Sequence, residues 1–453
     1  LGTSLFGHTE FGVRIGAEAS WLAALLFVYG YARNLLGKSE GLRAAMLLAA
    51  LPFFFLSGFF MMPDSPLVAC WAGALYFLER ALLGDRRSAW WGAGACMGLG
   101  LLSKYPMALV GASALAFVLI DRPSRRWLLR PEPYLAALLA ALVFSPVLLW
   151  NAEHAWASFR FQGASRWRHS PRFELPELIG SAILLITPLG LWGFFSSFRR
   201  RSPASRGRGG GLEERGRTFV WVFTLLPLAV FAWASLRNET KLNWTGPLWL
   251  GALPAIALSL SGSEGSPGRR WIAAVDRLWK PMLVALLPAY GAALHFPVLG
   301  LPGVPYPENY YGMSWRDLGR QVEAIELEVI QRTGAEPLMV GMDKYHLSSV
   351  AAFYDPNRDG AHETAGWHLF GRPALMYEHW FPRRLMEGKS LVLFGAEPGD
   401  LDSERVKSHV ERLEPVRQLL VRRHGQVVGR YYSRVAHGYR SEPVAGRAVA
   451  GER

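Results

Sequence analysis

Ten stretches of this 453-residue chain are apolar for roughly the length needed to cross a hydrocarbon layer, and that ladder constrains the fold more than any other feature. The runs lie at about Val13 to Tyr31, Leu42 to Phe60, Pro66 to Leu83, Ala89 to Leu102, Tyr105 to Ile120, Tyr134 to Trp150, Pro176 to Phe198, Phe219 to Leu236, Trp244 to Leu260 and Pro281 to Leu299. A helical span takes ~20 residues, and a soluble core does not need so many unbroken runs. A polytopic α-helical membrane protein of about ten spans is expected. The fourth and fifth runs are short, either a re-entrant pair or two crossings. In both cases they form a hairpin, because Arg86 and Arg87 before it and Arg122, Arg125 and Arg126 after it are all basic, and like-charged flanks share a side.

Orientation follows from alternate loops. One set carries Arg33, Lys38 and Arg43, then Arg80, Arg86 and Arg87, then Arg122 to Arg130, then the arginines from Arg199 to Arg217, then Arg269, Arg270, Arg277 and Lys280. By the positive-inside rule these face the cytoplasm. The formal net charge of +13 resides largely in such loops, without a basic face interleaved with aromatics, so lipid headgroups rather than nucleic acid are the expected counter-charge. Cys70 and Cys96 both sit inside apolar runs, so no disulfide framework or metal cluster is implied.

The other loop set holds the chemically unusual residues. Met61-Met62-Pro63-Asp64-Ser65-Pro66 places a carboxylate between two spans, where it costs free energy unless paired, hydrated or used. Asp64 reads either as a helix N-cap before Ser-Pro or as a site residue. Lys104, at the tip of the hairpin beside Tyr105, can hold a lipid phosphate as a point charge or snorkel to the interface. Lys241, in Glu239-Thr240-Lys241-Leu242-Asn243-Trp244, offers the same choice, with Glu239 near enough to neutralise it. Asn151-Ala152-Glu153-His154 leads into Arg160, Arg166, Arg168 and His169, interleaved with Trp156, Phe159, Phe161 and Trp167. That segment is either an ordinary aromatic belt or a wall for a sugar and a phosphate, with Arg160 as the planar fork. His154 reads as a proton-transfer group, a phosphate donor or a plain surface histidine.

Beyond the tenth run the texture changes. Leu338 to Met342, Leu391 to Phe394 and Val427 to Tyr432 read as short strands, and Trp315 to Thr333 as an amphipathic helix. Asp343 reads as opening a further helix. The domains expected are a membrane part over 1–300, a small α/β extracytoplasmic domain over 301–435, outside by parity of crossings, and a polar, disordered tail over 436–453. Glycine-rich phosphate loops, His-Glu-x-x-His and Gly-x-Ser-x-Gly elbows are absent from the sequence, which excludes those soluble-enzyme chemistries.

Four motifs carry a resemblance: Met62 to Pro66, Gly98 to Pro106, Trp150 to Gln162 and Glu239 to Pro247. In order and sidedness they resemble the C superfamily of polytopic glycosyltransferases, in the branch of protein O-mannosyltransferases and lipid A aminoarabinose transferases. The resemblance implies inverting transfer of a hexose or pentose from a polyprenyl-phosphate donor to a hydroxyl acceptor, at the outer face of a bacterial inner membrane. It implies Lys104, Arg160 and Lys241 as phosphate ligands with Glu239, Asn243 and Tyr105 beside them, His154 assisting, and Asp64 as a supporting acid. It also implies a first span and a first outer loop bearing the catalytic base ahead of Leu1. No cofactor is required, although a divalent cation is compatible. The partners expected are a polyprenyl-phosphate-linked sugar, the bilayer and a hydroxyl acceptor. The rival readings are a lipid or sugar flippase, which predicts internal repeats and mid-span charges, and a non-catalytic relative.

Overall fold

The computed structural model describes residues 2–161, 163, 173–199, 213–237, 241–260, 270–307, 315–354 and 364–443. The chain divides into two compact units, Leu1–Ala289 and Tyr290–Arg453. In the first, helices follow one another as α1 (Gly2–Phe6), α2 (Glu10–Leu36), α3 (Lys38–Ala50), α4 (Pro52–Phe59), α5 (Asp64–Leu82), α6 (Ala89–Ser103), α7 (Ala108–Ile120), α8 (Pro131–Glu153), α9 (Ala157–Arg160), α10 (Leu175–Arg199), α11 (Glu214–Ser235), α12 (Leu253–Leu260) and α13 (Arg270–Leu299), which runs on into the second unit.

Five helices among the described residues are long and apolar enough to cross a membrane: α2, α8, α10 as far as Ser197, α11 and Leu278–Leu299 of α13. Two bent pairs raise the number to seven. One is α3 with α4, bent by 66° where Pro52 opens a new helix, and the other joins Tyr105–Ile120 to Arg122–Leu129 at 113°. The protein is therefore an integral, largely helical membrane protein. The run at Trp244 to Leu260 is not one helix: Gly246–Leu250 is a 3-10 turn, and α12 starts only at Leu253. In α10, Thr187 breaks the helix at φ 65° and ψ 159° immediately before Pro188, the residue that disfavours helical geometry in its predecessor.

α6 packs closely onto α8. A Cβ on Gly94 would lie 2.5 Å from the Ala136 carbonyl oxygen, and one on Gly98 would lie 2.6 Å from the Val143 Cβ. Gly94 and Gly98 are four apart on α6, and the buried Ala136 and Ala140 are four apart on α8, so small residues on both sides let the backbones approach. These two helices carry Lys104 and Asn151 at their ends, so this contact sets the spacing of the site.

The loops also sort by side. Arg126 and Arg130 pair with Asp85 at 2.7 and 3.9 Å, Arg87 with Glu132 at 3.6 Å, and Arg215 with Asp121 at 2.7 Å and with the Leu82 carbonyl at 2.9 Å. These all belong to the loops expected on the cytoplasmic side, and they meet one another.

In the second unit α14 (Trp315–Thr333), β1 (Leu338–Gly341), α15 (His346–Tyr354), β2 (Thr364–Gly366), β3 (Leu391–Gly395), β4 (Val410–Leu413), β5 (Arg417–Arg423) and β6 (Gln426–Tyr439) build one mixed sheet. The order is β2-β1-β3-β6-β4, with β5 also paired to β6. β2, β1 and β3 are parallel, and β6 runs antiparallel to β3, β4 and β5. Asp343 caps α15, accepting from the His346 and Leu347 amides at 3.2 and 3.1 Å. One expectation is corrected: residues 436–439 are not tail. They finish β6, with Ala436 and Tyr439 fully buried, because pairing with β3 and β4 satisfies their backbone groups. The division between units also falls inside α13 rather than after it. The last turns of that helix belong to the sheet unit, where Phe296 packs on Tyr306 and the Val298 carbonyl accepts from Arg423.

Candidate functional site

Pro63 and Pro66 set the first turn of α5. Proline lacks an amide hydrogen but is tolerated where helix amides have no intrahelical partner, so α5 begins at Asp64 itself. Pro63 occupies the cap position, and no side chain caps the helix. The N-cap reading of Asp64 is thereby corrected. The carboxylate lies in the first turn, where the helix dipole favours negative charge, and it turns inward, only 2% exposed.

Lys104 fills the gap it leaves. Its backbone is extended between the end of α6 and a 3-10 turn, Tyr105–Met107, that opens α7. Its ammonium donates to both Asp64 oxygens, at 2.8 and 2.7 Å, and the Asn243 amide donates to the second oxygen at 2.7 Å. Ser103 adds a hydrogen bond to the Pro63 carbonyl. Three turns far apart in sequence thus share one buried carboxylate. Removing one partner of a buried pair costs about 3 to 5 kcal/mol, less here because the Lys104 side chain is 31% exposed. The exposed part of that side chain is what remains for a ligand.

A fourth segment joins through Tyr105. Its hydroxyl pairs with Ser158 Oγ at 2.6 Å, and Ser158 donates to the buried Asn151 Oδ1 from both its hydroxyl and its amide, at 2.7 and 3.1 Å. Asn151 in turn donates to the Val147 carbonyl at 2.8 Å. This knot ends α8 and folds the chain back through Ala155 and Trp156, both left-handed at φ 51° and 57°. Two such non-glycine residues cost ~1 to 2 kcal/mol apiece, and they persist because Asn151 secures the turn on both sides. The turn presents an aromatic wall. Phe159 stacks on Tyr105 at 5.2 Å and 6°, with Trp156 5.7 Å from Phe159. Arg160, at the open edge, donates to the Ala155 carbonyl at 3.1 Å. His154 stacks on Trp150 at 4.1 Å, and its Nδ1 lies 2.8 Å from the Trp150 carbonyl.

Asp64, Lys104, Asn243 and Tyr105 are therefore brought together directly, and His154 and Arg160 flank them on the Asn151 turn. Lys241, two residues before Asn243, is exposed and has no ion-pair partner among the described residues. Glu239 lies outside the described residues, as do Arg166, Arg168 and His169. Sequence reasoning did not select Asn151 or Ser158, whose contact over a strained turn has no periodic signature. Nor did it select Arg14, which sits 4.8 Å above the Phe59 ring next to the Asp64 turn; a charge inside the first apolar run was the available signal. No three His, Cys, Asp or Glu side chains converge as metal ligands among the described residues.

The fold is that of the C superfamily of glycosyltransferases. Within that class, residues 1–150 match the family described as dolichyl-phosphate-mannose-protein mannosyltransferase. Over 99% of its length the chain superposes on 87% of ArnT from Cupriavidus metallidurans, with 15% identity, at a TM-score of 0.58 for the apo state and 0.60 for ArnT bound to undecaprenyl phosphate. No curated protein sequence matches the chain.

Proposed function

We propose that the protein transfers a sugar from a polyprenyl-phosphate donor to a hydroxyl acceptor, with inversion, at the outer face of a bacterial inner membrane. The observation that carries this reading is the meeting of the Asp64, Lys104, Asn151 and Asn243 segments on one face, with a cation fixed at its centre. On this reading all ten apolar runs are membrane segments and the sheet unit is periplasmic. ArnT bound to undecaprenyl phosphate supports the donor class.

In the proposed reaction the acceptor oxygen attacks the anomeric carbon, the bond from that carbon to the phosphate oxygen breaks, and the acceptor proton passes to a base. Phosphate is a fair leaving group, so the protein's task is to place the reactants and stabilise the departing charge. Lys104 does this from a fixed position, with Arg160 and Lys241 reaching the same phosphate from flexible side chains. Such cations supply charge stabilisation without a cofactor. Tyr105, Phe159 and Trp156 offer the sugar a stacking face. His154 donates to the phosphate, and Glu239 sets the charge of the Lys241 stretch. Asp64 is a supporting acid rather than the base, since both its oxygens are committed to Lys104 and Asn243.

The test is transfer from a radiolabelled polyprenyl-phosphate sugar in nanodiscs, with free polyprenyl phosphate measured as the second product. Near-native turnover in Lys104→Ala/Lys241→Ala overturns the phosphate assignments, since each charge-assisted contact contributes ~1.5 to 3 kcal/mol. Movement of sugar or lipid across the membrane without a glycosidic product overturns the transferase reading itself.

A further inference from the structure

On the opposite face, the 3-10 helix Arg122–Leu129 between α7 and α8 is unusually regular. With three residues per turn its side chains eclipse, and burial follows that period: Asp121, Ser124 and Trp127 are buried, and the two residues after each are exposed. The buried edge is bolted down. Asp121 takes Arg215 and Ser124, and Trp127 packs edge-on against Trp90 at 5.4 Å. The two outer edges read Arg122-Arg125-Leu128 and Pro123-Arg126-Leu129, so each ends in leucine.

The arginines are not equivalent. Arg126 and Arg130 are consumed by Asp85, and Arg130 also lies over the Trp127 ring at 4.9 Å. Arg122 and Arg125 have no carboxylate partner among the described residues; Arg125 spends only its Nε, on the Leu119 carbonyl at 3.0 Å, leaving its terminal nitrogens to the outside. Around them Leu119, Ile120 and Leu128 face outward, and Leu129 is 92% exposed. Tyr134, on the first turn of the α8 span, donates to the Leu128 carbonyl at 2.7 Å. The bend of 113° therefore turns the chain sharply out of the α7 direction, with the leucines next to the exposed apolar start of α8 and two guanidinium groups without a carboxylate partner beside them.

We propose that this helix is a binding site for one anionic phospholipid, its phosphate held by Arg122 and Arg125 and its acyl chains lying over Leu119, Ile120 and Leu129. Charge complementarity selects the headgroup, because Arg126 and Arg130 share the Asp85 carboxylate, whereas Arg122 and Arg125 face outward side by side without a carboxylate partner among the described residues. Continuity with the two flanking apolar helices selects a lipid over a soluble anion, since the apolar groups beside the guanidiniums extend directly onto α7 and α8. The lipid braces the hairpin whose far ends carry Lys104 and Asn151. The proposal requires only that α7 and α8 enter the membrane, and it is independent of the transfer reaction.

The full chain is purified in mild detergent and titrated with phosphatidylglycerol or phosphatidylcholine, with bound lipid counted by native mass spectrometry. One phosphatidylglycerol should be retained in preference to phosphatidylcholine, and Arg122→Gln/Arg125→Gln should weaken it about 25-fold, at roughly fivefold for each surface arginine. Lys344→Gln/Arg384→Gln, which removes two exposed charges from the sheet unit, should leave it unchanged. Equal thermal midpoints of the variants in lipid-free detergent establish that all are folded. Equal retention of the two lipids, unchanged binding in the arginine variant, or an equal loss in the control overturns the site. Binding of inorganic phosphate as tightly as phosphatidylglycerol overturns the lipid assignment.

Discussion

The Asp64–Lys104 pair can be tested by a double-mutant cycle of Asp64→Asn, Lys104→Met and the combined variant. Lys104→Met strands a carboxylate that is 2% exposed with one neutral donor, Asn243, at 2.7 Å. A fully buried pair broken on one side costs about 3 to 5 kcal/mol. Because the Lys104 side chain is 31% exposed, solvent screens part of this, and ~2 to 3 kcal/mol is expected. Asp64→Asn should cost less, since the released ammonium can turn towards water. The double variant has no stranded charge and should be no less stable than Lys104→Met alone. The coupling energy between the two positions is then ~1.5 to 2.5 kcal/mol, measured by denaturant unfolding in detergent micelles. Additivity within about 0.5 kcal/mol would show that no such pair exists in the folded protein. Lys104 would then not be held as a preset cation. In the transfer assay the ordering should differ: Lys104→Met loses ~10- to 100-fold in kcat/KM, the value of one charge-assisted contact, whereas Asp64→Asn retains the cation and loses less.

Gly94→Val should drive α6 from α8, since even a Cβ would sit 2.5 Å from the Ala136 carbonyl oxygen and 2.9 Å from its Cα; a loss of at least ~1 to 3 kcal/mol is expected by thermal unfolding, and Ala136→Gly should give no rescue because the clash is with backbone. Asn151→Ala leaves the Ser158 amide and hydroxyl without their acceptor and should cost ~1 to 3 kcal/mol, with increased protease cleavage near Trp156 as the local readout. In the sheet unit, burial lowers the pKa of both His368 and His409. The fold favours their neutral forms, so their contribution is complete above the unfolded value of ~6.5 and is lost as pH falls through the lowered folded values. Native-state proteolysis should show the sheet unit opening more readily at pH 5.5 than at pH 7.5, and His368→Gln should flatten that dependence; an unchanged pH profile in the variant would show that His368 titrates alike in both states.

The membrane class of the chain and the sorting of its loops were legible in the residues, because burying a span is a matter of length and hydropathy, and the basic loops identify themselves by composition. The helix at Trp315–Thr333 and the strands at Leu338 and Leu391 were legible for the same reason: their apolar periods are local. Asp64 and Lys104 could be picked out as charges in unfavourable places, but their partners could not. Forty residues separate those two, and Asn243 lies a further span pair away, so their meeting depends on glycine-lined contacts such as Gly94 against Ala136 that no single stretch encodes. The strained Asn151 turn, the bend at Arg122 and the three extra strands of the sheet likewise arise only when distant segments supply the hydrogen bonds and burial that make those conformations stable. Composition determined that the chain lives in a bilayer, and tertiary packing decided which of its few buried charges face one another.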